Sequence, residues 1–358
     1  PGLSVVYSDL LDFNANEIYF TKPTDLLGKS YSDIQSQFSD ETVIGVEASD
    51  GTVTLNPPAN FIFGADHRLL VIAPDDDGIQ SEITDDKGIV EEAIVKLSST
   101  LPAHPENTLI LGWNWRGAAI LEELDHYLSP GSNVLVIANE PSLSAAWQLR
   151  ADTYKNYTAA FQESDITSRT ALESINLAEF NHVIILSCSD QLTAQQADSA
   201  TLITLLHLRD IARRQRLNFS MVTEILDMRN RELAEIAHVD DFIISDRLIS
   251  LMTAQVAEEK KLNRVFKEIF DPSGVEIYMK PAELYIKPGT SNNFYTVIEA
   301  ASRLGETAIG YRIYANSTNR EDHYGIVINP VKERPITFHP GDMVIVLSSQ
   351  RHGVSAAS

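Results

Sequence analysis

The sequence holds one cysteine, Cys188, in 358 residues. A lone thiol excludes a disulfide framework and fits a reducing compartment. No apolar run approaches the roughly 20 residues needed to cross a bilayer, and no signal peptide opens the chain. Cations are scarce as well: 28 Lys and Arg stand against 50 Asp and Glu, a formal net charge of −22. A phosphate backbone demands clustered Lys and Arg, so no nucleic-acid partner is expected. An acidic balance suits either a well-solvated surface or cation binding. Catalytic motifs are missing too. The nine His residues are scattered, with no His-Glu-x-x-His, no paired Cys and no Gly-x-Ser-x-Gly elbow. Cys188 follows an apolar run and reads as a core thiol, and His182 reads as structural. A non-enzyme is expected.

What is present is a repeat. Glu17-Ile18-Tyr19-Phe20, Lys22-Pro23, Ile44-Gly45-Val46, Asn56-Pro57 and Gly64 lead into Leu69-Leu70-Val71-Ile72. The same marks return in order as Glu276-Ile277-Tyr278-Met279, Lys280-Pro281, Ile309-Gly310-Tyr311, Asn329-Pro330 and Gly341, before Met343-Val344-Ile345-Val346-Leu347. The growing offset fits insertions in surface loops. Two copies of a small β-rich lobe are implied, with a larger segment between them.

That segment alternates apolar runs with helical patterns, the signature of a parallel α/β sheet. The runs are Thr108–Gly112, Asn133–Ala138, Thr153–Thr158, His182–Ser187, Ser220–Ile225 and Asp241–Ser245; Gly117–Tyr127 and Asp198–Arg213 are helical. The expected fold class is α/β: a Rossmann-like doubly wound parallel sheet flanked by two small β-rich α+β lobes. Residues 1–14 read as the end of a helix, with Leu3, Val6, Leu10 and Phe13 at helical spacing. A first lobe follows over 15–80, and an acidic linker over 81–107 carries a short helix through Ile89, Ala93, Ile94 and Leu97. The Rossmann-like part spans 108–247, and one long helix over 248–272 reads from Leu248 to Phe270, offering Ile249, Met252, Val256 and Leu262 as packing contacts. The second lobe occupies 273–350 and a tail 351–358. Only the second lobe has an α/β part before it, and the chain opens on Pro1, so a piece of a longer protein is expected.

The first apolar run enters Gly112-Trp113-Asn114-Trp115-Arg116-Gly117 and then a helix. This has the spacing of the dinucleotide fingerprint, with Asn114 in place of the second Gly and Glu140 where an acid would hold a ribose. One reading is an anion at the helix N-terminus, assisted by Arg116; the other is an inherited turn that is now structural. Ser187-Cys188-Ser189-Asp190 follows the fourth run, and Asp190 or Ser189 reads as ligand contact or helix cap. Glu224 and Asp227 bracket the end of the fifth run, with Asp198 upstream and Asp240, Asp241 and Asp246 around the sixth. Carboxylates on loops at one end of a sheet suit a hard cation such as calcium.

A β-rich lobe joined to a nucleotide-type domain, repeated, resembles tandem RCK domains with TrkA-N-like and TrkA-C-like parts. Pro1-Gly2-Leu3, Asp12-Phe13, Leu70-Val71-Ile72-Ala73, Leu111-Gly112-Trp113 and Ser129-Pro130-Gly131-Ser132 look more closely like the CASTOR/POLLUX ion channel family. So do Ala197-Asp198-Ser199, Glu224-Ile225-Leu226-Asp227, Ile309-Gly310-Tyr311-Arg312 and Asn329-Pro330. The resemblance implies the second lobe of a first RCK domain followed by a complete second one. It implies a homotetrameric gating ring on the cytoplasmic side of a membrane-anchored cation channel, the fragment itself being soluble and its own pore domain lying outside this sequence. The implied role is to convert binding of Ca2+ or another small ligand into pore opening. Calcium ranks first as ligand, with Glu224 at the position of an RCK calcium-site acid; NAD or another nucleotide ranks behind it, because of Asn114. The alternatives are a nucleotide-binding regulatory subunit of a TrkA-like potassium transport system and an NAD(P)-dependent oxidoreductase.

Overall fold

The computed structural model describes residues 2–13, 16–76, 78–81, 87–96, 104–141, 143, 147, 153–230, 233, 241–271 and 274–349. The chain divides into two compact units, one of residues 1–4 and 103–250, the other of 5–102 and 251–358. Both β-rich lobes therefore fall in the same unit.

Helix α1 (Leu3–Leu11) precedes the first lobe. That lobe contains β1 (Glu17–Thr21), the short α2 (Tyr31–Gln35), β2 (Thr42–Glu47), β3 (Val53–Leu55) and β4 (Arg68–Ala73). Its antiparallel sheet has the order β1-β4-β2-β3. Leu26, Tyr31, Ile34, Phe38, Val43, Phe63, Leu69 and Val71 form its core.

The α/β unit has six parallel strands: β5 (Asn107–Leu111), β6 (Ser132–Ala138), β7 (Tyr157–Glu163), β8 (His182–Ile185), β9 (Ser220–Ile225) and β10 (Asp241–Ile244). Among its helices are α3 (Gly117–Tyr127), α4 (Arg169–Glu173) and α5 (Ala194–Gln215). The order β10-β9-β8-β5-β6-β7 reverses between β8 and β5, which makes the sheet doubly wound. Alternation along β5 shows why Leu109, Ile110 and Leu111 are all apolar. Leu109 and Leu111 enter a core with Leu205 and Leu208 of α5, while Ile110 enters another with Leu121 of α3. A strand covered on both faces favours apolar side chains at successive positions.

Two sequence expectations shift in this unit. The third strand starts at Tyr157 rather than Thr153, because the backbone N–H groups of Lys155 and Asn156 donate to the Asp125 carboxylate at 2.9 and 2.8 Å instead of to a ladder. The cap of α5 is Thr193, in a capping box with Gln196, not Ser189 or Asp190.

Helix α6 (Ser245–Glu258) leads to α7 (Leu262–Ile269), so the single helix expected over 248–270 is broken. Glu259 Oε1 accepts the Lys261 N–H at 3.0 Å, and the N–H groups of Leu262, Asn263 and Arg264 bond three residues back rather than four. The tightened turn re-aims the chain, burying Leu262, Val265, Phe266 and Ile269 while Ile249 stays exposed. Among the described residues of the expected linker helix, one 3₁₀ turn forms, Glu91–Ala93. Ile94 then bridges to Ile286, and Val95 N donates to Tyr285 O at 2.9 Å, so this segment joins the second lobe as an extended edge. Leu97 lies outside the described residues.

The second lobe contains β11 (Glu276–Pro281), β12 (Ser291–Asn292), α8 (Phe294–Ser302), β13 (Thr307–Arg312), β14 (Ile326–Ile328), β15 (Ile336–Thr337) and β16 (Met343–Ser348). Its main sheet, β11-β16-β13-β14, reproduces the first lobe strand for strand. The repeated sequence marks are repeated devices. Both sheets carry a register shift, at Val43/Gly45 and at Ala308/Gly310. A Cβ on Gly45 would stand 2.5 Å from Thr54 O, and one on Gly310 would stand 2.2 Å from Val327 O. Asn56 and Asn329 both adopt left-handed backbone, at φ 43° and 48°, immediately before a proline.

These asparagines join the lobes reciprocally. Asn56 Nδ2 donates to Gly305 O at 2.8 Å and its Oδ1 accepts from Thr307 Oγ1 at 2.8 Å. Asn329 Nδ2 donates to Asp40 O at 2.6 Å and its Oδ1 accepts from Thr42 Oγ1 at 2.7 Å. Thr42 and Thr307 open the equivalent strands β2 and β13, so the two sets of bonds are related by a pseudo-twofold. Asn329→Ala should lower unfolding free energy by about 2–4 kcal/mol through strain and lost bonds, and Asn329→Gly by about half as much, read by urea denaturation.

Lys332 is fully buried at this contact, its Nζ donating to Thr42 Oγ1 at 2.9 Å and Asn329 Oδ1 at 2.7 Å. Burial brings its ammonium down to about 7, with Glu41 and Asp40 pulling weakly the other way. The unfolded chain therefore binds more protons between the ordinary lysine range and neutrality. Stability should fall as pH drops through that window and level off below about 7. Lys332→Met leaves the Thr42–Asn329 bond in place. It should raise stability at neutral pH by about 2–4 kcal/mol and flatten the pH dependence of the melting temperature.

Candidate functional site

The reversal of strand order brings the carboxyl ends of β5 and β8 side by side, which is where open α/β sheets bind ligands. Gly112 leaves β5 at φ +86°, its N–H donating to Ile137 O at 2.8 Å. A Cβ there would lie 2.3 Å from Leu186 O, so the turn needs glycine. Trp113 packs edge-on against Trp147, and its ring would lie 2.7 Å from a Cβ on Gly117. Gly117 thus opens α3 by making room for an indole. Trp115 is 70% exposed, with the Arg116 guanidinium 4.6 Å from its ring centroid.

Asn114, in the second-glycine position, is buried and engaged on both sides. Its Nδ2 donates to Ser187 O at 2.7 Å and Glu224 Oε2 at 2.8 Å, while its Oδ1 accepts the Arg116 N–H at 2.9 Å. Glu224, at the end of β9, receives Arg116 Nη1 on Oε1 at 2.8 Å and Ser187 N on Oε2 at 3.1 Å. Each feature that would hold a phosphate here is already engaged. The glycine gap is filled by a side chain, a turn N–H is bonded, and the cation is paired. Glu224 behaves as a built-in anion in the crevice.

Asp198, Asp227 and Glu140 are engaged as well. Asp198, fully buried on α5, accepts the N–H groups of Leu226 and Asp227 at 2.9 Å and Asn230 Nδ2 at 2.7 Å, tying the exit of β9 to the helix. Asp227 pairs with the Arg229 guanidinium, whose hydrogen bonds bring its carboxyl to about 2. Glu140 meets Gln191, beside the exposed Asp190. Asp240 lies outside the described residues, and Asp246 is exposed in the first turn of α6. Among the described residues no three His, Cys, Asp or Glu side chains gather as a metal-binding group. Cys188 is partly buried against the α5 core, and burial raises its thiol. The sequence brings out Asn114 and Arg116 in one motif and Glu224 in another. Their union, and Ser187 within it, needed the strand order.

A family model described as Castor and Pollux, part of voltage-gated ion channel, matches residues 1–88. Ion channel POLLUX of Lotus japonicus is 30% identical over 98% of this chain. Ion channel DMI1 of Medicago truncatula is likewise 30% identical over 98%. This is a CASTOR/POLLUX-like chain. It spans 41% and 43% of the length of those two relatives. Its fold matches that of the human SLO3 gating ring at TM-score 0.66 and 13% identity, over 96% of this chain and 68% of the other. No helix among the described residues is long and apolar enough to cross a membrane.

In the CASTOR/POLLUX-like chain, Glu224→Ala would leave Asn114, Arg116 and Ser187 N–H without their acceptor in a buried site. It should cost about 2–4 kcal/mol in denaturant unfolding, and Glu224→Gln, which keeps an acceptor, clearly less.

Proposed function

We propose that this chain is the ligand-responsive, non-catalytic regulatory part of a cation channel, working on a pore outside this sequence. The observation that carries the reading is the match to ion channels over nearly the whole chain, on a fold shared with a gating ring. In this reading four copies assemble as a ring on the cytoplasmic side of the membrane. Regulation then requires a ligand that prefers one ring shape, and a coupling of about 1–3 kcal/mol suffices.

Calcium is the ligand proposed, with Glu224 as the acid that receives it. A cation reaching Glu224 Oε1 competes with the Arg116 guanidinium now bonded there. Binding would release Arg116 from the crevice and shift the Gly112–Gly117 turn that opens α3. This gives the ligand different contacts in two states, which is what a switch needs. A dinucleotide would have to expel the Glu224 carboxylate, so NAD is placed second.

Calorimetric titration of the chain with calcium, against magnesium and NAD, tests the site. Calcium should saturate, Glu224→Gln should weaken it by at least about tenfold, and Arg116→Gln, which removes the competitor, should strengthen it. Binding of NAD alone would replace the calcium reading with a nucleotide one. For the channel reading, the full-length protein is reconstituted in vesicles; cation flux that is absent, or that is unaltered when residues 1–358 are deleted, would overturn it.

A further inference from the structure

The unit that contains the two lobes holds a cavity of about 410 Å³, within the usual ~300–1,000 Å³ of small-molecule sites. Lys22, His67, Arg68, Lys261 and Arg264 line it, together with Glu47, Asp50 and Asp66. In a chain of net charge −22, four of the 28 Lys and Arg residues converge on one cavity. That reverses the local sign of the surface.

The arginines are held in place. Glu47 is 2% exposed, pairs with Arg68, and lies 3.8 Å from Arg264 Nη1. Arg264 Nη1 also donates to Gly51 O at 3.0 Å, and a Cβ on Gly51 would stand 1.6 Å from that nitrogen. Only glycine lets the guanidinium lie across this turn. One buried carboxylate thus orients two guanidinium groups and leaves a positive charge over. The acids that remain, Asp50 and Asp66, are exposed, and Asp50 accepts the Thr52 N–H at 2.9 Å.

Lys22 and Lys261 are uncommitted. Among the described residues neither pairs with a carboxylate, and the Lys261 ammonium stands 5.8 Å from the Phe20 ring centroid. Lys22 follows β1 and Lys261 lies in the break between α6 and α7, so the two approach the cavity from different elements. Fixed guanidinium forks beside ammonium groups on flexible stems are the chemistry that recognises phosphoryl oxygens.

We propose that this cavity binds a small polyanion carrying phosphoryl groups, either free or as a lipid headgroup. Bound there, it would tie the loops 48–51 and 64–67 and the start of β4 in the first lobe to the α6–α7 break. The proposal does not depend on calcium at Glu224.

Inorganic pyrophosphate titrated into the 358-residue chain is the first probe, and flotation with phosphatidic acid vesicles against phosphatidylcholine vesicles is the second. Saturable pyrophosphate binding is expected, weakening steeply with added salt. Lys22→Gln and Lys261→Gln should each reduce it about tenfold. Neither lysine supports the Glu47 pairs, so unchanged thermal melts will show that the variants fold. Flotation with phosphatidic acid alone, lost in the double variant, would assign the headgroup form. The proposal is overturned if neither probe binds, or if the double variant binds either one as well as the parent does.

Discussion

The pairing of the two β-rich lobes depends on two asparagines held in left-handed backbone. At that φ most side chains are strained, and asparagine is among the few that tolerate it. The same geometry turns each carboxamide out of its own sheet and onto the first residue of the other lobe's central strand. Asn56 takes Thr307 and Asn329 takes Thr42, so each lobe donates to and accepts from its counterpart. The proline after each asparagine cannot continue a ladder, so the strand ends there and the carboxamide is left free to reach across. Turn, strand end and lobe contact follow from one dipeptide used twice.

In the α/β unit the comparable constraint is a single carboxylate. Glu224 gathers three donors from two segments: Asn114 and Arg116 after β5, and Ser187 after β8. A buried carboxylate is tolerated only when nearly every lone pair is used, and here the bonds that satisfy it also fix the turn into α3. This explains why a sequence with the fingerprint's spacing departs from it at the second glycine. Glycine there would leave Glu224 short of a donor, while Asn114 serves Glu224, Ser187 and its own turn together.

Much of this was legible in the sequence, and what was not has identifiable causes. The apolar runs of β5, β6, β8 and β9 stand out because both faces of the sheet are covered. The edge strand β7 does not. Its Thr158 and Gln162 face solvent, and the segment before it is claimed by Asp125, so the strand begins four residues later than its pattern suggests. The break between α6 and α7 hides inside a helix-compatible sequence, since Glu259, Lys260 and Lys261 all favour helix and only the Glu259 side chain competes for the backbone. The candidate acids were visible one by one. Which of them share a site is a matter of strand order, and sequence spacing does not carry it.

The pseudo-twofold is broken in one respect that the repeat does not predict. At Thr307 the further partners are neutral: Tyr31 Oη lies 3.1 Å away, and Gln35 Nε2 donates at 2.8 Å. At Thr42 the partner is the buried Lys332, beside Glu41 and Asp40. The two halves of one contact therefore respond differently to their surroundings. Tyr31 and Gln35 hold their geometry across the physiological pH range, and burial raises the Tyr31 phenol further out of it. Lys332 changes charge near neutrality in a place that water does not reach. A duplicated contact with equivalent ends would loosen or tighten as a whole, whereas this one has an inert end and a titratable end. A change of pH near neutrality therefore acts on the Thr42 end of the contact and leaves the Thr307 end as it is.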